Sequence, residues 1–278
     1  MSWGPAGEER GSSVQPITER PVERPLRVTL RTQDGIGVDA AYEPGSGRDR
    51  GLAIVLAHGF TGDLERPHVL RAARVFAQAA AVVTFSFRGH GRSGGRSTVG
   101  DREVLDLAAA VEWARSLGHT RVVTVGFSMG GSVVLRHAAS HRGRTEARTD
   151  AVVAVSAPAR WFYRGTAPMR RLHWLVTRPT GRVVGRLGLR TRIHPYDWDP
   201  IPLSPVESVP LIAPTPLLVV HGDSDPYFPV DHPRMLAAAA AGGAELWLEE
   251  GMGHAEHAAS DELLARIADW AATAGAAQ

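Results

Sequence analysis

Residues 122–131 read VVTVGFSMGG, and this stretch decides how the rest of the chain is interpreted. A strand-like run over residues 121–125, β-branched from residue 122 onward, precedes a Gly-x-Ser-x-Gly turn, and an apolar helical pattern follows over residues 132–139. A serine at a tight turn between a strand and a helix lies in strained backbone that raises its hydroxyl above the sheet edge. Small flanking glycines let the strand and the helix close around it. We therefore interpret Ser128 as a candidate catalytic nucleophile.

Apolar runs and helical patterns alternate on both sides of this turn. Residues 52–57 read LAIVLA without a polar interruption, which is typical of a strand covered by helices on both faces. Repeated strand–helix units imply parallel strands with right-handed crossovers, so the sequence predicts an α/β fold with a mostly parallel sheet and an N-terminal antiparallel hairpin. The predicted strands are 26–32, 37–42, 52–57, 81–87, 121–125, 151–155, 216–220 and 244–248, and the predicted helices are 67–78, 101–117, 132–139, 233–241 and 261–272.

Three segments organise the chain. Residues 1–24 are rich in Pro, Glu, Arg, Ser and Gly, which predicts a flexible N-terminal leader. Residues 25–157 and 215–278 carry the alternating pattern and form the predicted core. Residues 158–214 lack a clear strand and are far longer than an ordinary connection, so we expect a short helical cap inserted over the carboxyl edge of the sheet.

Composition narrows the functional classes. The chain has 278 residues and no cysteine, which excludes disulfides, thiolate metal sites and a cysteine nucleophile. All 31 basic residues are arginine, but the net charge is only +2, so nucleic acid is not an expected partner. The N-terminus has no apolar signal-like segment and no stretch is long and apolar enough to span a membrane, which predicts a cytoplasmic protein.

A serine nucleophile needs a histidine base, and the base needs a carboxylate that fixes its tautomer. Asp223 and Asp225 follow the apolar strand 216–220, and His254 follows the last predicted strand. Because parallel strands bring their carboxyl ends to one edge, Ser128, Asp225 and His254 can converge there. Asp223 competes with Asp225 for the role of the acid. Its alternative role is to cap its own loop by accepting backbone N–H groups.

An oxyanion needs two backbone N–H donors. We expect one from Met129, directly after the nucleophile, and one from the turn that follows strand 52–57, at Phe60. His257, three residues after His254, is the alternative candidate for the base. Glu256 is expected to be solvated. His58, His90 and His221 are expected to brace loops.

Five short motifs together resemble those of the α/β-hydrolases. They are AHGFTG at 57–62, FRGHGRS at 87–93, GFSMGG at 126–131, HGDSD at 221–225 and GH at 253–254, and they cover nearly the whole predicted core. The first two forms are similar to serine esterases of the cinnamoyl esterase and monoacylglycerol lipase kind. The resemblance favours Asp225 over Asp223 as the triad acid.

By the same resemblance, we expect hydrolysis of a small-molecule carboxylic ester through an acyl-enzyme, with His254 as the base. Thioester or amide hydrolysis and carbon–carbon bond hydrolysis use the same triad and stay open, as does a ligand-binding module that retains the fold. Dehalogenase and epoxide hydrolase chemistry is disfavoured because those relatives need an aspartate where this chain has Ser128.

No cofactor is expected, and the histidine spacing predicts no metal site. The cap has an unusual charge pattern, since residues 160–192 contain nine arginines and no acidic residue. Arg178, Arg182, Arg186 and Arg190 recur every four residues, so a helix there would carry one basic stripe. Such a stripe fits contact with anionic lipid headgroups, attraction of a negatively charged substrate, or a solvated helix, and these interpretations stay open. The sequence does not predict an oligomeric state.

Overall fold

A computed structural model describes residues 1, 25–47, 49–144 and 146–274, and residues 2–24 of the predicted leader lie outside this part of the chain. Within the described residues, eight strands form one sheet. They are β1 Leu26–Arg31, β2 Gly37–Glu43, β3 Leu52–Ala57, β4 Ala81–Phe85, β5 Arg121–Phe127, β6 Ala151–Val155, β7 Leu217–Gly222 and β8 Ala244–Glu249.

The sheet order is β1-β2-β4-β3-β5-β6-β7-β8. The strands β1 and β2 form the expected antiparallel hairpin, and β2 joins β4 in antiparallel pairing. From β4 to β8 every neighbouring pair is parallel. The predicted α/β class with a mostly parallel sheet is therefore confirmed.

The uninterrupted apolar run of β3 is explained by burial on both faces. Leu52, Ile54 and Leu56 point into one hydrophobic cluster, while Ala53 and Val55 point into the cluster on the opposite face. Fully burying an aliphatic side chain stabilises the fold by about 1.5–3 kcal/mol. A strand in the middle of a helix-covered sheet can therefore use apolar residues at every position.

Helices cover both faces of the sheet. The α2 and α3 helices contribute to one cluster and the α1 and α9 helices to the other. In chain order the helices are α1 Pro67–Phe76, α2 Glu103–Ser116, α3 Met129–His141, α4 Ala167–Thr177, α5 Pro179–Gly188, α6 Pro205–Ser208, α7 Asp231–Ala239, α8 Ala255–Ala258 and α9 Asp261–Thr273.

The segment 158–214 contains α4 and α5, which pack against each other. Single β-bridges tie the stretch after α5 to the core, joining Thr191 to His90 and Ile193 to Ser97. The basic stripe is shorter than its four-residue repeat suggests, because α5 ends at Gly188 and Arg190 lies beyond the helix with a φ of 55°. Contact of this segment with membranes stays a prediction.

Within the described residues, no helix combines the length and apolar character needed to cross a bilayer. The cytoplasmic location stays a prediction.

A glycine at the end of β5 controls how closely α3 approaches the sheet. A Cβ on Gly126 would collide with the backbone carbonyl of Gly130, which belongs to α3. We expect Gly126→Ala to lower the free energy of unfolding by about 1–3 kcal/mol or more, because overpacking against backbone cannot be relieved by a rotamer change. Urea denaturation of the purified protein measures this loss.

The matched control for this prediction is Gly143→Ala. A Cβ on Gly143, in the turn after α3, would meet no heavy atom within 4 Å. Its stability should be unchanged or slightly increased, because alanine restricts the unfolded chain. Equal losses in both variants would contradict a specific close approach at Gly126.

Candidate active site

Ser128 occupies a strained turn between β5 and α3. Its backbone has φ 52° and ψ −113°, a region that residues with a Cβ rarely adopt. The Ser128 N–H donates to the Val155 carbonyl at 2.9 Å, which ties the turn to the end of β6. Gly130 completes the turn, since a Cβ there would collide with the carbonyl of Ala57. The sequence therefore raises the serine hydroxyl at the carboxyl edge of the sheet at a cost of about 1–3 kcal/mol in strain.

The hydroxyl is in contact with a histidine that follows the last strand. His254 Nε2 lies 2.9 Å from Ser128 Oγ, and His254 Nδ1 lies 2.7 Å from Asp225 Oδ2. Asp225 lies three residues after the end of β7 and its side chain is fully buried, whereas the His254 side chain is 16% exposed. The structure thus brings the three predicted side chains into one hydrogen-bonded chain at the carboxyl ends of β5, β7 and β8.

The loop after β3 passes beside the serine. A Cβ built on Gly59 would lie 3.4 Å from the Ser128 Cβ. Phe60 and Met129, the two residues predicted to supply oxyanion donors, both lie on the wall of the cavity that contains Ser128. Among the hydrogen bonds of the described residues, neither of these two N–H groups has an acceptor. Both donors are thus available to a group bound beside Ser128.

A cavity of about 590 Å³ opens above Ser128. Its walls are mainly aromatic and aliphatic, and the segment 158–214 provides a large share of them. Lining side chains from that segment include Trp161, Met169, Leu172 and Val176. The cavity volume lies within the range of small-molecule pockets, and its apolar lining favours a ligand with an aromatic or aliphatic part.

The comparisons with known proteins agree with this architecture. A family model described as the alpha/beta hydrolase fold matches residues 53–183. An esterase of Pyrococcus furiosus has a TM-score of 0.69 to this chain at 21% sequence identity, with 91% of this chain and 93% of that chain covered. The chain has the α/β-hydrolase fold. The resemblance inferred from the five motifs is confirmed.

Two further proteins are similar to this chain. A monoacylglycerol lipase of Mycolicibacterium smegmatis is 29% identical over 222 residues, which cover 66% of this chain and 73% of that protein. A Butyrivibrio proteoclasticus protein solved with ferulic acid bound has a TM-score of 0.57 at 20% identity, with 87% and 96% of the two chains covered. The lipase supports an esterase-like or lipase-like hydrolase, and the solved structure supports the fold.

The carboxylate of Asp225 is held in its ionised form. Burial opposes ionisation, but the hydrogen bond and charge of His254 outweigh it, and the net effect lowers the pKa of Asp225. Its other oxygen accepts the backbone N–H groups of Tyr227 at 2.7 Å and Phe228 at 3.1 Å. The anion can therefore hold the imidazole of His254 with Nδ1 protonated, so that Nε2 faces the serine as an acceptor.

The residues considered as alternatives to the triad members make other contacts. Asp223 Oδ1 accepts the Gly251 N–H at 2.8 Å and the Ser224 hydroxyl at 3.0 Å, as a loop-capping aspartate would. His257 lies in α8, where its ring is 3.7 Å from that of His68, centroid to centroid. His221 Nε2 lies 2.8 Å from the carbonyl of Phe228 and braces that loop.

The expectation that Glu256 is solvated is wrong. Glu256 is only 2% exposed, and its Oε1 accepts the Gly59 N–H at 3.1 Å. Although it stands in the short helix directly after His254, α8 turns the carboxylate inward against the loop after β3. Nothing in the local sequence signals this packing, because the partner of Glu256 lies in a loop almost two hundred residues earlier in the chain.

Sequence reasoning also missed Tyr227. Its ring stacks on the imidazole of His254 with centroids 4.2 Å apart and an interplanar angle of 28°. It lies two residues after Asp225, so the same loop orients the imidazole through a carboxylate and through an aromatic face. The sequence shows only that two aromatic residues, Tyr227 and Phe228, follow Asp-x-Asp-Pro. That pattern alone does not indicate contact with a histidine.

Two buried histidines brace the loop beside the serine. His58 Nε2 accepts the Phe87 N–H at 3.0 Å, while its Nδ1 lies 2.7 Å from the Gly59 carbonyl. His90 Nε2 accepts the Thr61 N–H at 3.3 Å, and its Nδ1 lies 3.0 Å from the Arg88 carbonyl. Each ring therefore uses one nitrogen as an acceptor, which requires the neutral form.

Burial disfavours the charged form of both rings. It lowers the pKa of His58 to about 3, with a further contribution from the nearby His90, and lowers the pKa of His90 to about 4. A histidine with a depressed folded-state pKa contributes stability that is present above its unfolded pKa, about 6.5, and is lost as the pH falls below that value.

We expect the free energy of unfolding to decline as the pH falls from 6.5 towards 4.5. In this range His58 and His90 bind protons in the unfolded state but stay neutral in the folded state. Each of the two histidines contributes up to about 1.4 kcal/mol per pH unit. Urea denaturation at intervals between pH 8 and pH 4.5 measures the slope. In His90→Gln, whose amide oxygen can still accept the Thr61 N–H, the slope should shrink by about one proton. Stability that stays constant from pH 7 to pH 5 would contradict this assignment.

Proposed function

We propose that this α/β-hydrolase is a serine hydrolase that cleaves carboxylic esters through an acyl-enzyme intermediate, with Ser128, His254 and Asp225 as its triad. The observation that carries this proposal is the continuous pair of hydrogen bonds, 2.9 Å from Ser128 to His254 and 2.7 Å from His254 to Asp225. A nucleophile in contact with a base, and a base oriented by a third group, is the arrangement that covalent acyl transfer needs.

In the first half of the reaction, Ser128 Oγ attacks the ester carbonyl carbon while His254 Nε2 takes the hydroxyl proton. The carbonyl oxygen becomes an anion, and the N–H groups of Phe60 and Met129 stabilise it. The tetrahedral intermediate collapses, the bond to the alcohol oxygen breaks, and the imidazolium of His254 protonates the leaving alcohol. Asp225 remains ionised throughout and stabilises the imidazolium.

In the second half, water enters beside His254 and attacks the acyl-enzyme. His254 takes a proton from this water, a second oxyanion forms on the same two N–H groups, and the proton returns to Ser128 Oγ as the acid leaves. Tyr227 keeps the imidazole plane oriented through both halves, because its ring covers one face of His254.

The cavity supports an ester with a substantial apolar group. Aromatic and aliphatic side chains line most of the space above Ser128, and α4 forms one wall through Met169, Leu172 and Val176. We infer that the segment 158–214 acts as the cap over the site. A monoacylglycerol lipase and an esterase among the relatives of this chain also favour an ester substrate.

Ser128→Ala should lower kcat towards p-nitrophenyl esters by at least about 10³-fold, because the three triad residues act together and the loss of one disables all three. A fluorophosphonate probe should label the wild-type protein and fail to label this variant. Ser140→Ala is the matched control, since Ser140 lies on the exposed end of α3 and its hydroxyl contacts groups of the same helix: the carbonyls of Arg136 at 2.9 Å and His137 at 3.2 Å, and His141 Nδ1 at 2.9 Å. Undiminished turnover by Ser128→Ala would contradict the mechanism.

The two aspartates after β7 separate the triad acid from its rival. Asp225→Asn should lower kcat by about 10⁴-fold, because the amide no longer fixes the productive tautomer of His254. Asp223→Asn should keep kcat within a few-fold of wild type, since Asp223 contacts only loop groups. Steady-state kinetics on one p-nitrophenyl ester compares the two, and the reverse order of effects would move the acid role to Asp223.

A substrate panel distinguishes the reaction class. A chain-length series of p-nitrophenyl esters is compared with matched thioesters, anilides and a diketone at equal concentration. We expect a higher kcat/KM for the esters than for the anilides, because an alcohol or phenol is a better leaving group than an amine. A higher kcat/KM for the matched thioesters would favour thioester hydrolysis instead. Preferred cleavage of the diketone would favour carbon–carbon bond hydrolysis, and labelling without any turnover would favour a ligand-binding role.

A further inference from the structure

Three side chains that the triad does not use meet behind the loop after β3. His68 belongs to α1, and Glu256 and His257 belong to α8. One ligand atom from each of the three lies within 4.8 Å of the others. His68 Nε2 is 3.7 Å from Glu256 Oε1, and the rings of His68 and His257 are 3.7 Å apart between centroids. Two imidazoles and a carboxylate therefore face one small volume.

The carboxylate of Glu256 is poorly compensated. It is 2% exposed and accepts one backbone N–H, from Gly59. The nearby Arg71 contacts the Glu256 backbone carbonyl at 2.8 Å and the Asp261 carboxylate at 2.6 Å. Arg66 pairs with Asp63 at 3.4 Å. Within the described part of the chain, no arginine forms an ion pair with the Glu256 carboxylate, although a buried carboxylate requires a positive partner.

His68 provides a second observation that points to a ligand. Its Nε2 is buried and has no hydrogen-bond partner within the described residues. A buried ring nitrogen without a partner and a buried carboxylate without a positive partner each lower the stability of the folded protein. A single cation bound to both atoms would remove both costs.

We propose that His68, Glu256 and His257 bind one divalent transition-metal ion of the zinc class. Two imidazole nitrogens and one carboxylate oxygen form a ligand set that Zn²⁺ accepts, with the fourth position left to water beside the exposed His257. Bond lengths of about 2.0–2.2 Å require the three ligand atoms to move closer by about 1 Å, which side-chain rotation supplies. The ion would join α1 to α8.

None of the three ligands belongs to the proposed triad or supplies a proposed oxyanion donor. Gly59 lies between the two centres, since a Cβ there would be 3.2 Å from Glu256 Oε1 and 3.4 Å from the Ser128 Cβ. The sequence predicted no metal because the ligands come from distant stretches of the chain, and only the packing of α8 on α1 brings them together. Metal binding should therefore appear as a change in stability, whether or not the protein hydrolyses esters.

The test uses the full-length protein after treatment with EDTA and dialysis. Titration calorimetry with ZnCl₂ should give one site per chain, and a hundredfold excess of ZnCl₂ over its Kd should raise Tm by about 5 °C, because the ion binds the folded state preferentially. MgCl₂ at the same concentration should leave Tm unchanged, because Mg²⁺ prefers oxygen ligands.

His68→Ala and His257→Ala should each weaken Zn²⁺ binding by at least about tenfold, since even the loss of an outer-shell partner costs that much. His257 is exposed, so its substitution keeps the fold, and fluorophosphonate labelling of Ser128 checks this. The matched control is His141→Ala, which removes the stacked pair His137–His141 on α3, with ring centroids 4.5 Å apart. In the part of the chain that the structure describes, this pair is not joined by a third histidine or carboxylate in a geometry that could hold an ion.

The control should bind Zn²⁺ as tightly as wild type. Wild-type protein without a Tm shift or binding heat would overturn the proposal and favour a proton shared between His68 and Glu256. Equal Zn²⁺ affinity in wild type and His257→Ala, or a loss confined to His141→Ala, would overturn it as well.

Discussion

The candidate site depends on how closely backbone can approach backbone at the end of β5. Gly126 and Gly130 have no Cβ, and a methyl group on either would collide with a carbonyl oxygen of α3 or of β3. This contact allows Ser128 to adopt a φ of 52° and to lie at the sheet edge while the helix begins at the very next residue. The strain at the serine is maintained because the surrounding sheet and helix leave it no relaxed alternative.

A second set of contacts holds the loop that faces this serine. His58 and His90 each accept a backbone N–H and lie 3.0 Å or less from a carbonyl through the other nitrogen, so the loop after β3 is tied to the end of β4. Burial keeps both rings neutral, because it lowers the pKa of each well below the ordinary value for histidine. These two histidines are therefore structural, and this role explains why the motifs at 57–62 and 87–93 each contain a histidine.

Much of the fold follows from local patterns. The run at β3 predicted a strand buried on both faces, and the two hydrophobic clusters bear that out. Strand ends were less predictable, since β4 stops at Phe85 rather than Phe87 because the Phe87 N–H is taken by His58 rather than by a neighbouring strand. The helices of the segment 158–214 had no predicted bounds, because its arginines, prolines and glycines give weak helical periodicity. Convergence of Ser128, Asp225 and His254 was predictable because parallel strands share one edge.

The inward position of Glu256 was not predictable from local pattern, and it links the two halves of the candidate site. His254, Ala255 and Glu256 are consecutive, and Ala255 has a φ of 55° that turns the chain sharply between them. The Ala255 N–H donates to Ser156 Oγ at 3.0 Å, which anchors the turn to the end of β6. From this anchored turn, His254 extends to Ser128 on one side while Glu256 holds the Gly59 N–H on the other. A shift of the turn therefore moves both the imidazole and the carboxylate that holds the loop after β3, because His254 and Glu256 are two residues apart in one anchored turn.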